Sequence, residues 1–195
     1  MSQAERDKWN DRYCSGSYER RTHPSALVAD WVPKLTLGRT LDVACGAGRN
    51  ALYLAAAGCE VDAIDISSAA LERARSAAIQ RNLSIRWSEL DLDEDPDTVL
   101  PDERYALIVW MRYVNRGLMP ALIRRLRGGG HLICEQHLAA PADVVGPKNL
   151  DFRLQPGELS ATAAGLETVF YREGPVVDPD GRTAALAQLV ARMPT

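Results

Sequence analysis

Residues 41–67 read LDVACGAGRNALYLAAAGCEVDAIDIS, and no other stretch limits the fold so strongly. Two short apolar runs, suited to buried strands, flank a helical pattern. The first run breaks at Cys45-Gly46-Ala47-Gly48, the helix stops at Gly58, and the second run ends on Asp65. Strand, tight turn, helix and strand in sequence form a crossover unit, with parallel strands and a right-handed connection. Glycine lets the turn adopt positive φ and lets another group approach the backbone closely, while the helix N-terminus offers N–H groups without partners.

The alternation continues along the chain. SIRWSELD, RYALIVWM and HLICEQHL form three more strands. Between them lie the helix SSAALERARSAAIQRN, opened by Ser67, and a second helix that runs to Arg127 and is followed by Gly128-Gly129-Gly130. An acidic loop spans Asp93 to Asp102. The last two runs, ETVFYREG and RTAALAQLVARM, leave no room for a helix between them, so a turn at DPDGR joins them as an antiparallel hairpin. The expected fold is α/β: a doubly wound, Rossmann-like, mainly parallel seven-stranded sheet with a C-terminal antiparallel hairpin and helices on both faces. At 195 residues, 46% hydrophobic and 25% charged, the chain has the material for one domain with a real core. Residues 1–36 form an N-terminal helical cap, 37–138 the ligand-binding core, and 139–195 a substrate-facing loop, a helix and the terminal hairpin.

In such sheets ligands bind outside the carboxyl ends of the strands, where the glycine turn, Asp65 and Asp91 all fall. Gly46-Ala47-Gly48-Arg49-Asn50-Ala51 fits the G-x-G-x-x-G/A pattern, which serves a dinucleotide or S-adenosylmethionine equally well. Asp42 separates the two. A carboxylate inside the first strand is costly unless it is paired. The ammonium of an amino-acid moiety suits it; the phosphates of a dinucleotide do not. Asp65 is placed to accept from both hydroxyls of a ribose. Asp91 is placed to accept from an adenine amine, with Leu90 or Leu92 against the ring, or equally to cap a turn.

With these residues in view, LDVACGAGRNALYLAAAG and VDAIDIS resemble the first two signature motifs of class I S-adenosylmethionine-dependent methyltransferases. GGGHLICEQ is similar to the glycine turn and fifth strand of that family, and the late hairpin agrees with its fold. The form GAGRNALYLAAAG is most like small bacterial enzymes of the tellurite-resistance and thiopurine-methyltransferase type. The resemblance spans roughly residues 38–138 by motif and implies S-adenosyl-L-methionine as cofactor. It implies that Gly46 and Gly48 pass close to its methionine part, with backbone from Ala44 and Cys45. Asp42 would orient the amino group, and Asp65 would hold the ribose with Ile66 beside the adenine. Asp91 and Leu92 would contact the adenine, and residues Trp110 to Tyr113 would border the sulfonium. Related enzymes close an N-terminal helix over the cofactor with an aromatic residue and an arginine, for which Trp9 and Arg12 are the candidates, or else the anchors of an amphipathic helix.

The expected chemistry is in-line transfer of the activated methyl group to a small-molecule acceptor. A soft sulfur, selenium or tellurium nucleophile needs little base assistance; an oxygen or nitrogen acceptor can require a general base, for which His137 and Tyr113 are the weak candidates. Two rivals stay open. One is an NAD(P)-binding oxidoreductase, disfavoured by Asp42, by the late hairpin and by the lack of a Tyr-x-x-x-Lys pair. The other is a catalytically silent cofactor-binding module. A net charge of −3 gives no general attraction to nucleic acid, and Arg124 to Arg127 read as cations at a helix C-terminus. Four scattered cysteines without a CxxC pair suggest neither a metal site nor disulfides. The charged N-terminus and the absence of a run of about 20 apolar residues fit a cytoplasmic protein without membrane association, a monomer or small homo-oligomer.

Overall fold

The computed structural model describes residues 3–16, 18–19, 21–140, 144–178 and 180–195. Pro141, Ala142 and Asp143 of the expected substrate-facing loop, and Pro179 of the hairpin turn, lie outside the described residues. Seven strands form one sheet: β1 (Arg39–Val43), β2 (Glu60–Asp65), β3 (Ile85–Glu89), β4 (Tyr105–Met111), β5 (Leu126–His137), β6 (Glu167–Val177) and β7 (Thr183–Arg192). Their order is β3-β2-β1-β4-β5-β7-β6. The first five pair in parallel, whereas β7 runs antiparallel to both β5 and β6. The doubly wound sheet with its terminal hairpin is therefore the observed architecture, and the order reverses direction between β1 and β4. That reversal puts the ligand crevice over the carboxyl ends of these two strands.

The helices are α1 (Gln3–Cys14), α2 (Ala26–Trp31), α3 (Arg49–Ala56), α4 (Ser68–Gln80), α5 (Pro96–Val99), α6 (Leu118–Arg125) and α7 (Glu158–Thr162). One core cluster packs Leu27 and Val28 of α2, Ala51 and Leu54 of α3 and Leu71 of α4 onto Val61, Ala63, Leu107 and Val109 of the sheet. The other packs Leu118, Leu122 and Leu159 against Leu41, Val43, Ile108 and Leu132. Alternate residues of β1 and β4 thus serve opposite faces, as a strand's two-residue period requires. Among the described residues no helix is long and apolar enough to cross a membrane.

Two local expectations change. The triple glycine does not end a helix; it lies within β5, which begins at Leu126. A Cβ at Gly130 would stand 2.8 Å from the carbonyl oxygen of Tyr105, so glycine is needed there for strand-to-strand approach rather than for a turn. The acidic loop contains a short helix, α5, and its Asp97 pairs with Arg124 and Arg125. Two arginines at the end of α6 are thereby tied to one neighbouring acid.

Ser67 caps α4, its side chain accepting from the N–H of Ala70 at 3.1 Å. Gly48 caps α3 with φ 77°. A Cβ added to Gly48 would lie 2.7 Å from Trp87 and 2.9 Å from Ala74. Gly48 therefore lets α3 pack against α4 and β3, a structural demand in addition to any ligand. Gly48→Ala is expected to lower the unfolding free energy by about 1–3 kcal/mol through overpacking and left-handed strain, measured by urea denaturation.

Candidate active site

The turn after β1 is built from three residues with positive φ, Ala44 at 53°, Gly46 at 56° and Gly48 at 77°. The N–H of Gly48 closes it onto the carbonyl of Cys45 at 3.0 Å, and the N–H of Cys45 joins it to Ile64 of β2 at 2.9 Å. Asp65 holds the arrangement. Its Oδ2 accepts from the N–H of Gly46 at 2.7 Å and its Oδ1 from the N–H of Ser67 at 2.9 Å. One carboxylate thus fastens the glycine turn to the start of α4. Burial pushes the Asp65 pKa up, against hydrogen bonds from the backbone of Ser67, Gly46 and Ile66. Burial likewise raises the Cys45 thiol, leaving it a small neutral core group.

Asp42, the acid inside β1, is 1% exposed. It is bonded to the backbone of Ala51, yet its Oδ2 has no hydrogen-bond partner among the described residues. Burial pushes its pKa up to about 7, with Ala51 and Arg49 working the other way and Asp65 adding to the rise. A buried acid of β2 shows the alternative. Asp62 accepts from Tyr105 Oη at 2.9 Å and from Arg39 at 3.1 Å, and also pairs with Arg86. Burial opposes its ionisation, but these donors outweigh it and hold its carboxyl below the usual range. Asp62 is satisfied by the protein alone; Asp42 is not.

The remaining expected residues divide. Asp91 Oδ1 accepts from the N–H of Asp93 at 3.0 Å, so this acid caps the turn after β3. Ile66 and Leu92 are buried, and Leu92 belongs to the core cluster beneath α6. Trp110 packs into that same cluster, on the face opposite the one that α3 covers, and its Nε1 has no partner among the described residues. Tyr113 Oη donates to Asp93 at 2.7 Å, tying the loop after β4 to the loop after β3. Burial and Asp93 push the Tyr113 pKa far up, so its hydroxyl stays protonated at neutral pH.

On α1, Arg12 is exposed and stacks over Trp9, 4.9 Å from the ring centroid. Two neighbouring residues make the closer approach. Asn10 Oδ1 accepts from Ser67 Oγ at 2.8 Å and the N–H of Ala69 at 3.3 Å, docking α1 onto the start of α4. The Tyr13 hydroxyl occupies the space that a Cβ on Gly46 would need, directly over the glycine turn. Its pKa is raised strongly by burial and then by the charge of Asp65. Trp9 and Tyr13 are four residues apart and so share one helix face, and only contacts distant in sequence decide which of them reaches the turn.

A second group of polar residues stands at the ends of β4 and β5. Arg112 has φ 58° and directs its guanidinium to three carboxylate oxygens: Nε to Glu135 at 2.7 Å, and its two terminal nitrogens to Asp178 at 2.6 and 2.5 Å. Gln188 donates to the other oxygen of Glu135 at 2.8 Å. His137 lies beside this network, its Nδ1 without a hydrogen-bond partner among the described residues. Burial, then the charges of Arg112, Arg153 and Arg21, push His137 down to about 4, with Asp178 opposing them. His137 is neutral at physiological pH and a weak base. Arg112 had one sequence signal, its place directly after the fourth strand.

Residues 40–130 match a family described as a methyltransferase domain. The chain is 29% identical over 161 residues to a protein of Eikenella corrodens named hemagglutinin 1, covering 78% of this chain and 51% of that protein. It is 32% identical over 111 residues to a ubiquinone biosynthesis O-methyltransferase of Alkalilimnicola ehrlichii, covering 54% and 44% respectively. The chain therefore spans about half the length of the curated relatives it matches. Among solved structures, TehB from Haemophilus influenzae superposes with a TM-score of 0.77 at 22% identity, covering 94% of this chain and 67% of that one. Other methyltransferases of the same fold are described with S-adenosylmethionine or S-adenosylhomocysteine bound, at 15–21% identity.

Asp42 gives a pH test. An aspartate ordinarily titrates near 3.9 when unfolded and here near 7 when folded, so between those values the folded state holds the extra proton. The stability of the wild type relative to Asp42→Asn is expected to fall as pH rises from about 4 to about 7 and to level off above it. Paired urea titrations across that range measure the difference.

Proposed function

We propose that this chain is a methyltransferase of the class I S-adenosylmethionine-dependent fold and transfers a methyl group from S-adenosylmethionine to a small-molecule acceptor. The single observation behind this reading is the unpartnered Oδ2 of Asp42 in the buried floor of the crevice, beside the turn clamped by Asp65. An acid left in that state is complementary to a cation. An amino-acid ammonium supplies the cation, whereas a pyrophosphate supplies the wrong sign.

The residues fit such a cofactor. Asp42 would receive the ammonium, directly or through water. Gly46 and Gly48, with backbone from Ala44 and Cys45, would line its methionine part. Asp65, already bonded to the backbone of Gly46, Ser67 and Ile66, would accept from the ribose with its remaining lone pair, with Ile66 alongside. Asp91 and Leu92 would border the adenine, and the segment from Trp110 to Tyr113 the sulfonium end. Tyr13, rather than Trp9 or Arg12, would cover the turn from the N-terminal cap of residues 1–36. When bound, the cofactor supplies an electrophilic methyl carbon and a good leaving group. The chain's part is to hold an acceptor in line and exclude water, and positioning of this kind contributes about 7–11 kcal/mol in favourable cases. His137, neutral at working pH, would accept a hydrogen bond from the acceptor, while Tyr113, engaged by Asp93, is not a base. This chemistry favours an acceptor that is already nucleophilic, such as a thiol or a heavier relative, over one that must first lose a proton. Nothing in the net charge of −3 favours nucleic acid as the acceptor.

Titration calorimetry tests the reading: S-adenosylhomocysteine should bind with micromolar affinity, and NAD and NADP should not. Tight NAD binding with no response to S-adenosylhomocysteine would reverse the assignment. Asp65→Ala is expected to cost on the order of 1–3 kcal/mol of that affinity, since a charged acceptor is removed. An ammonium on Asp42 favours its ionised form, so binding should tighten as pH rises from about 5 to about 7 and lose that dependence in Asp42→Asn.

A further inference from the structure

Among the described residues, Trp110 Nε1 and Gln136 Oε1 are buried atoms without a hydrogen-bond partner that the crevice does not use. Trp110 is 4% exposed and Gln136 0%. Trp110 of β4 stands in register with Cys134 of β5, and Gln136 follows Cys134 by two residues. The two side chains therefore emerge on the same face of the sheet, the one that α6 and α7 cover. One is a donor in need of an acceptor, the other an acceptor in need of a donor, and they do not bond to each other. Gln136 Nε2 donates to the carbonyl of Trp110 at 3.4 Å, with Cys134 Sγ at 3.5 Å. A carbonyl can only accept, so the amide nitrogen is held toward it and Oε1 is turned away.

Both side chains line one small cavity, with apolar walls from Val114, Met119 and Leu159. Its volume is about 10 Å³. One water requires roughly 10–15 Å³ and two to four polar partners, so the size suits a single water and excludes a larger guest. Trp110 and Gln136 supply two partners of opposite kind. A third stands at the rim, where Thr162 of α7 spends its hydroxyl proton on the carbonyl of Leu159 at 3.0 Å and keeps lone pairs to accept with. Arg116 closes the outer side, donating to Glu158 and to the carbonyls of Asp151 at 2.9 Å and Arg153 at 3.0 Å.

We propose that this cavity is a binding site for one structural water molecule, which accepts from Trp110 Nε1–H and donates to Gln136 Oε1, with Thr162 Oγ1 receiving its second hydrogen. The inference is independent of the methyl-donor reading. Its consequence for the crevice is positional. Trp110 leads into residues 110–113, and Gln136 directly precedes His137, so the water braces these two strand ends from behind and joins them to α7.

A crystal structure of the wild-type protein at about 1.5 Å resolution tests the site. The expected result is a single water peak within about 3.2 Å of both Trp110 Nε1 and Gln136 Oε1. A dry cavity, a larger occupant, or a Gln136 amide turned to satisfy itself on protein atoms would overturn the proposal. In solution, Gln136→Met and Trp110→Phe are compared singly and together by urea denaturation. A shared water leaves with whichever partner is removed first, so the midpoint of the double variant should fall by clearly less than the two single shifts combined. Shifts that simply add would count against a common water, and where a variant fails to fold the wild-type crystal still decides.

Discussion

The crevice depends on one carboxylate. Asp65 stands at the end of β2 and accepts from backbone N–H groups on two separate loops, one the glycine turn after β1 and the other the start of α4. Without it, the N–H of Gly46 would be buried with no partner and the turn would lose its reference to the second strand. The left-handed backbone at Ala44, Gly46 and Gly48 is tolerable because this acid, the Cys45–Ile64 hydrogen bond and the packing of Gly48 on Trp87 all favour the same shape. Asp65 is thus a structural clamp first, and the sugar-binding role proposed for it would build on a position the fold already fixes.

Asp42 and Asp62 show how environment divides two buried acids on neighbouring strands. Asp62 is surrounded by Tyr105, Arg39 and Arg86, so its charge is cheap and its function is to hold the sheet together. Asp42 has the backbone of Ala51 and the distant charge of Arg49, but its Oδ2 has no hydrogen-bond partner among the described residues, so its charge is costly in the chain alone. A polar group that the protein neglects to satisfy is better evidence for a ligand than a glycine pattern, because each such group costs stability in the free state.

Much of this was legible in the sequence because crossover units have few solutions. Alternating apolar and helical runs gave the parallel sheet; the spacing of the last two runs gave the hairpin; strand ends gave the rim. The triple glycine misled, since glycine ends helices and also relieves crowding between strands, and only the Tyr105 carbonyl beside Gly130 decides between the two. At the site, Asp42 and Asp65 stood out because acids in apolar runs demand a reason. Tyr13, Arg49 and Arg112 did not, because aromatic and cationic residues at helix and strand ends are common and their direction is set by contacts distant in sequence. Asn10 meeting Ser67, and Arg112 meeting Asp178, are pairings that no local pattern encodes.

A crystal structure of the protein grown with S-adenosylhomocysteine tests the central claim most directly. The account requires the ligand's ammonium to lie on the Asp42 carboxylate, directly or through one water, with the thioether chain crossing Gly46 and the ribose against Asp65. A ligand bound elsewhere, or one in this crevice that leaves Asp42 without a cationic partner, would contradict it.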